Sequence, residues 1–260
     1  GEMSVSGAIG TTLKFGKGGG NTSRTIGSDR DVSFTGSGEL DNGTTFSMNT
    51  TLTDAYTVSG STTTITHPTL GTFATGTGTG LQSGNYDEEV PMAYEQASDA
   101  KDTMANIIGN YMDENSISYT PPAIEIMGAT VQAHLGYSLQ ASDSGASDGN
   151  QATYSATWGK GQEAGITVSY EGLKVGVYGT ERENTTPGAA SADAVRDEFN
   201  GVWYAKYSFG PVSIGYSESY VDSGVSQTAV VATSAPKTLR TSAGIMEGNQ
   251  IGIAFNVNDN

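Results

Sequence analysis

The sequence predicts an all-β fold, an antiparallel up-and-down meander closing as a barrel, and three observations carry that prediction. Apolar and polar residues alternate with period two through most of the chain, as a strand with one apolar and one polar face requires. Tight turns alternate with long polar connections, the rhythm of a meander whose two ends differ. Of the 260 residues only 35% are hydrophobic and 36 are glycine, against a usual apolar share of about 45 to 50%. A large dry core is therefore excluded. The 13 Tyr, 7 Phe and 2 Trp also exclude a chain that never folds. Residues 1–260 read as one domain, since barrels routinely exceed the common domain size.

The elements follow in order. Val5, Gly7, Ile9, Thr11, Leu13 and Phe15 fall on one face of the first strand, with Ser4, Ser6, Ala8, Gly10, Thr12 and Lys14 on the other. Gly16 to Arg30 reads as a glycine-rich interruption, after which Val32, Phe34 and Leu40 mark a second strand. Asp41-Asn42-Gly43 is a hairpin signal, because Asn and Gly accept the positive φ of tight turns. Phe46, Met48 and Leu52 line the return strand; Val58 to Thr66 and Thr72 to Gly78 follow around a turn at His67-Pro68. The pattern then stops over 79–115. It resumes at Ser116 to Thr120, turns near Pro121-Pro122, and continues through Val131 to Tyr137.

In the last part, the short connections Glu171-Gly172 and Gly210-Pro211 alternate with long ones over Gln140 to Gln151, Glu183 to Asp197 and Asp222 to Thr238. The strands between them give about twelve in all, an even number as up-and-down barrels require. Two segments, Ala152 to Tyr170 and Thr238 to Val257, exceed one crossing and predict overhanging hairpin arms or an extra strand pair.

The net charge of −16, from 12 basic and 28 acidic residues, argues against nucleic acid, which needs clustered Lys and Arg. No cysteine is present, which removes disulfides and thiolate metal sites. The longest hydrophobic runs, Val202 to Ala205 and Ala229 to Ala232, are far short of the roughly 20 residues of a membrane helix. A membrane barrel is allowed, because only every second residue of each strand meets lipid. The N-terminus shows no signal-peptide pattern, the expectation for a chain whose leader has been removed.

No enzyme is predicted. Of the two histidines, His67 sits beside a turn proline and His134, on a polar strand face, reads as a solvated side chain; Gly-x-Gly runs such as Gly76-Thr77-Gly78 precede no helix that could receive a phosphate. No cofactor is implied; calcium in acidic loops, through Asp143 or Asp148, is allowed without an EF-hand spacing. The candidate site is the insert 79–115, whose acids include Asp87, Glu88, Glu89, Glu95, Asp99 and Asp102 against the one base Lys101. Its apolar residues Met92, Tyr94, Met104, Ile107 and Ile108 need a surface to pack on, so the insert is expected to fold into the lumen and form a constriction. Lys14, Lys174, Arg182 and Lys206 fall on polar strand faces and would give an opposing basic wall, a transverse field that favours small polar solutes. The rival is a soluble secreted β-sandwich such as an adhesin or virion decoration protein, with the same Thr, Gly and Ser bias.

Three segments, Glu2-Met3-Ser4-Val5-Ser6-Gly7, Gly38 to Phe46, and Tyr86-Asp87-Glu88-Glu89-Val90-Pro91, together resemble the general diffusion porins of Gram-negative outer membranes, particularly the alphaproteobacterial type. The resemblance implies a sixteen-stranded barrel in the cell outer membrane, a homotrimer in contact with lipid and lipopolysaccharide, passing small hydrophilic solutes and ions. It also implies that the insert after the fifth strand is the constriction loop, lined by the acids and bases named above; the acids would make the channel mildly cation-preferring. Such porins end in an aromatic residue, whereas this chain ends Asn256-Val257-Asn258-Asp259-Asn260. The expectation is a sequence lacking about four strands at the C-terminus, with a closed twelve-strand barrel as the alternative.

Overall fold

A computed structural model describes residues 1–18, 21–53, 57–77, 82–87, 89–91, 112, 116–141, 158–184, 197–222, 224 and 245–256. Among the described residues thirteen strands form a single sheet. They are β1 (Glu2–Gly18), β2 (Asn21–Glu39), β3 (Thr45–Leu52), β4 (Val58–His67), β5 (Gly71–Thr77), β6 (Ser116–Thr120) and β7 (Ile124–Ile126). The remainder are β8 (Ala129–Ser138), β9 (Trp158–Tyr170), β10 (Leu173–Asn184), β11 (Glu198–Phe209), β12 (Val212–Asp222) and β13 (Ile245–Phe255). Each strand pairs with its sequence neighbour except that β6 pairs β8 directly, leaving the three-residue β7 beside β8. Among the described residues β1 and β13 are the two edges of this path.

Among the described residues the sheet has one strand that the sequence reading of about twelve did not include, and it has a local cause. Ile124-Glu125-Ile126 folds back onto Ala129 to Val131 through Met127 and Gly128, at φ of 51° and 83°. Two consecutive positive φ values make the tight hairpin turn that matches strand twist. A second difference lies at Gly16 to Arg30, which is not an interruption. β1 and β2 pair without a break from Glu2↔Ser37 to Gly18↔Asn21; glycine weakens a strand but does not prevent ladder pairing. The long segments ending at Tyr170 and Val257 contain one described strand each, β9 and β13; residues 152–157, 238–244 and 257 lie outside the described ones.

Strand registers fix which side chains share a face. On β11, Glu198, Asn200, Val202 and Tyr204 are buried while Phe199, Trp203, Tyr207 and Phe209 are exposed. Carried across the ladders, the buried face includes Arg182, Thr180, Tyr178, Gly176 and Lys174 of β10, and Glu163, Gly165 and Thr167 of β9. It then includes His134 and Gly136 of β8, and Ser217 and Gly215 of β12. The opposite face exposes Val5, Ile9, Leu13, Phe34, Met48, Ile117, Ile166, Val177, Ile214, Ile251 and Ile253. The outer face is thus predominantly apolar, while polar, charged and glycine residues dominate the inner face around a few buried Tyr and Val, the reverse of a soluble domain. The lengths of β9 to β13, from 11 to 13 residues, match the roughly 9 to 11 that a tilted strand needs to cross the hydrocarbon.

The tight turns carry an aromatic row. Phe73 stacks on Tyr119 at 4.6 Å and Tyr207 on Phe209 at 5.7 Å; Tyr170 and Phe255 are exposed at the same ends of their strands. Rings with one apolar and one wet side suit a membrane interface. His67 closes the β4–β5 turn, its Nδ1 accepting the backbone N–H groups of Thr69 and Leu70 at 3.2 and 3.3 Å. Glu171 and Gly172 make the β9–β10 turn with φ of 43° and 87°. A Cβ at Gly172 would stand 2.5 Å from the Ser208 carbonyl oxygen. Gly172→Ala is therefore expected to lower the folded fraction in urea by the equivalent of about 1 to 3 kcal/mol. Gly36→Ala, where a Cβ meets nothing within 4 Å, should change it little.

Candidate functional site

The described part of the insert lies against the buried face of β8 to β13. Its first turn, Ser83–Asn85, is a short 3-10 segment closed by the Tyr86 and Asp87 N–H groups donating to the Ser83 carbonyl at 2.8 and 3.0 Å. Gln82 ties that turn to the wall, its Nε2 donating to Thr120 Oγ1 at 3.1 Å and to the Leu135 carbonyl at 3.2 Å. The insert is seated at its first turn.

Tyr86 is the main anchor, 1% exposed. Its ring stacks on Tyr178 at 4.8 Å and meets His134 edge-on, and its hydroxyl lies 2.6 Å from His134 Nδ1. Tyr178 donates to Glu163, and Tyr204, fully buried, flanks the pair. Burial, and then the Glu163 charge, push the Tyr86 hydroxyl well above its ordinary pKa, so the anchor stays protonated. This ring fits because the wall is glycine there: a Cβ at Gly165 would overlap the Tyr86 hydroxyl. Opposite β12 and β13 the same device recurs. Gly215 and Gly252 face each other across the ladder, and a Cβ at Gly215 would lie 2.5 Å from Pro91 Cδ. Near the far end of the insert, Met112 is buried, and a Cβ at Gly161 would stand 2.6 Å from its sulfur. Wall glycines are the sockets into which the insert sits.

Between the Tyr86 and Pro91 sockets, Glu89 makes the electrostatic contact. Its Oε1 accepts from Lys174 Nζ at 2.7 Å and its Oε2 from Lys206 Nζ. Lys174 Nζ also sits 5.6 Å from the Tyr204 ring centroid, a geometry that favours a cation over the ring face. The candidate acid Glu89 and the candidate bases Lys174 and Lys206 are thus brought together. The other candidates are not part of that cluster. Arg182 pairs instead with Glu198, Nη2 to Oε2 at 2.9 Å, both nearly buried. Lys14 stands on β1 opposite Thr25, with its side chain outside the described residues. Asp87 is described and partly exposed, whereas Glu88, Glu95, Asp99 and Asp102 lie outside the described residues, as do the apolar residues Met92 to Ile108 and the calcium candidates Asp143 and Asp148. Among the described residues no group of three or more His, Asp or Glu could hold a metal ion.

Several anchoring residues escaped sequence reasoning. His134, read as solvated, is buried and bonded to Tyr86. Glu163, Tyr178, Tyr204 and the socket glycines carried no motif. A usable signal was present nonetheless: Gly165, Gly176, Gly215 and Gly252 all fall on the polar phase of otherwise regular strands, where close approach of another chain segment is the usual reason for glycine.

A family model described as Gram-negative porin matches residues 2–258. Among solved structures the chain is similar to Salmonella typhi OmpF in complex with daunomycin, at 12% identity and TM-score 0.51, covering 99% of this chain and 87% of that one. It is also similar to a Rh. blastica porin variant, at 15% identity and TM-score 0.46, covering 99% and 91%. No curated protein matches. The family match gives no support to a soluble β-sandwich.

The sockets make a testable demand. Gly165→Val should expel Tyr86 and, on limited proteolysis, speed cleavage within 82–112 several-fold relative to wild type. Gly27→Val, where a Cβ meets nothing within 4 Å, should leave the cleavage rate unchanged.

Proposed function

The chain is a member of the Gram-negative porin family of the bacterial outer membrane, and from that premise we propose a passive, non-enzymatic diffusion channel for small hydrophilic solutes and ions, mildly cation-preferring. The carrying observation is the acidic insert seated by Tyr86, Glu89 and Pro91 on a wall of Ser, Thr, Gly and paired charges. An insert held there narrows the lumen, and the polar wall passes water and hydrated solutes but offers nothing to apolar ones.

The cation preference rests on the acids of residues 79–115: Asp87, Glu88, Glu89, Glu95, Asp99 and Asp102. Glu89 shares its charge with two ammonium groups, so most of the preference falls to the other five. Lys14, Lys174, Arg182 and Lys206 are the basic wall of this reading, although Arg182 spends its charge on Glu198. A homotrimer in contact with lipopolysaccharide is the assembly that the family resemblance suggests, with no role for nucleic acid. Oligomer state is read by native mass measurement in detergent, where three copies are expected and a monomer would contradict the assembly.

Planar bilayers test the selectivity. Under a salt gradient the zero-current potential should lie on the cation side, and Asp87→Asn with Glu88→Gln should move it toward zero. An anion-side potential that neutralisation leaves unmoved rejects the preference.

A further inference from the structure

We propose that Lys206 and Lys174, with Ser208 and Ser213, form a subsite for small oxyanions, carboxylate or phosphate, between the seated insert and the tight turn at Gly210-Pro211. It rests on the channel reading only in that solutes must reach the lumen.

Lys174 and Lys206 are direct partners across the β10–β11 ladder, and like charges placed opposite each other are unfavourable. Among the described residues one carboxylate, Glu89, bridges them, leaving one positive charge over. Each ammonium has three donors and gives one to Glu89, and both lysine side chains remain 32% exposed. A second anion is the group that would complete the cluster.

The space for it exists. A cavity of about 310 Å³ is lined by Glu89, Val90, Pro91, Lys206, Ser208 and Ser213, the size of the smaller ligand pockets. Ser208 Oγ and Ser213 Oγ lie 2.9 Å apart. When one donates to the other, the second hydroxyl keeps its own O–H to offer to a ligand. Lys206 supplies the charge-assisted contact, roughly twice as strong as a neutral one. An ammonium is a point charge without the planar fork of a guanidinium, so it accepts carboxylate and phosphate alike. Both lysines lie on strands, and Lys174 is further held over Tyr204. The ammonium groups are therefore already in place before a solute arrives.

Calorimetric titration of the full chain in detergent tests the subsite without requiring conductance. Citrate and inorganic phosphate should both bind, glucose should not, and the tighter of the two anions names the preferred oxyanion. Lys206→Gln should weaken anion binding about tenfold or more. Lys206→Arg should retain it, and Glu89→Gln should tighten it by removing the competing carboxylate. Absence of anion binding to the wild type, equal binding by Lys206→Gln, or weaker binding by Glu89→Gln overturns the proposal. Anion binding without conductance in bilayers would instead overturn the channel and leave the subsite standing.

Discussion

Hydrocarbon offers no partner to a backbone N–H or C=O, and every other feature of this protein follows from that constraint. A strand meander meets it by pairing each strand with the next. β1 to β6 and β8 to β13 do so in one continuous path. Once the backbone is committed to strands, side chains must alternate between lipid and lumen. The low hydrophobic content is then sufficient, because only one residue in two needs to be apolar.

The same alternation creates the opportunity for the insert. Every second residue faces the lumen, where no packing partner is required, so glycine can be placed there at little packing cost. Gly165, Gly215 and Gly252 lower the wall where Tyr86, Val90 and Pro91 approach, and Gly176 does so beneath Tyr204. A small core forms at this place: Tyr86, Tyr178, Val202 and Tyr204 are its buried members. It is a core between wall and insert rather than between two sheets. Glu89 adds a charged contact to Lys174 and Lys206, and the partial enclosure by Pro91 and Tyr204 makes that contact stronger than an exposed ion pair.

Much of the sheet was legible in the sequence because its signal is local. Period-two alternation gave the faces of β1, β3, β8 and β10, and Asp41-Asn42-Gly43 gave a turn whose Gly43 has φ of 79°. The β7 hairpin was not legible, since three residues are too few to show a period. The glycine-rich arms of β1 and β2 were misread for a related reason: glycine marks both loops and weak strands. The site was legible only as composition. The apolar residues within 79–115 pointed to an inward loop and its acids to the charge it would carry, but which acid meets which base depends on strand register and on contacts between residues more than 80 positions apart. His134, bonded to Tyr86, and Glu163, bonded to Tyr178, were hidden for a similar reason. Their meaning lies in what packs on them, and no spacing in the sequence states it.

The central claim is that the insert, clamped by Tyr86 and Glu89, narrows a water-filled lumen. Single-channel conductance in planar bilayers measures this most directly, comparing the wild type with a Tyr86→Ala, Glu89→Gln double variant. The expected result is a stable ohmic pore whose conductance rises when the clamp is removed. A wild type that forms no pore, or a double variant of unchanged conductance, would contradict it.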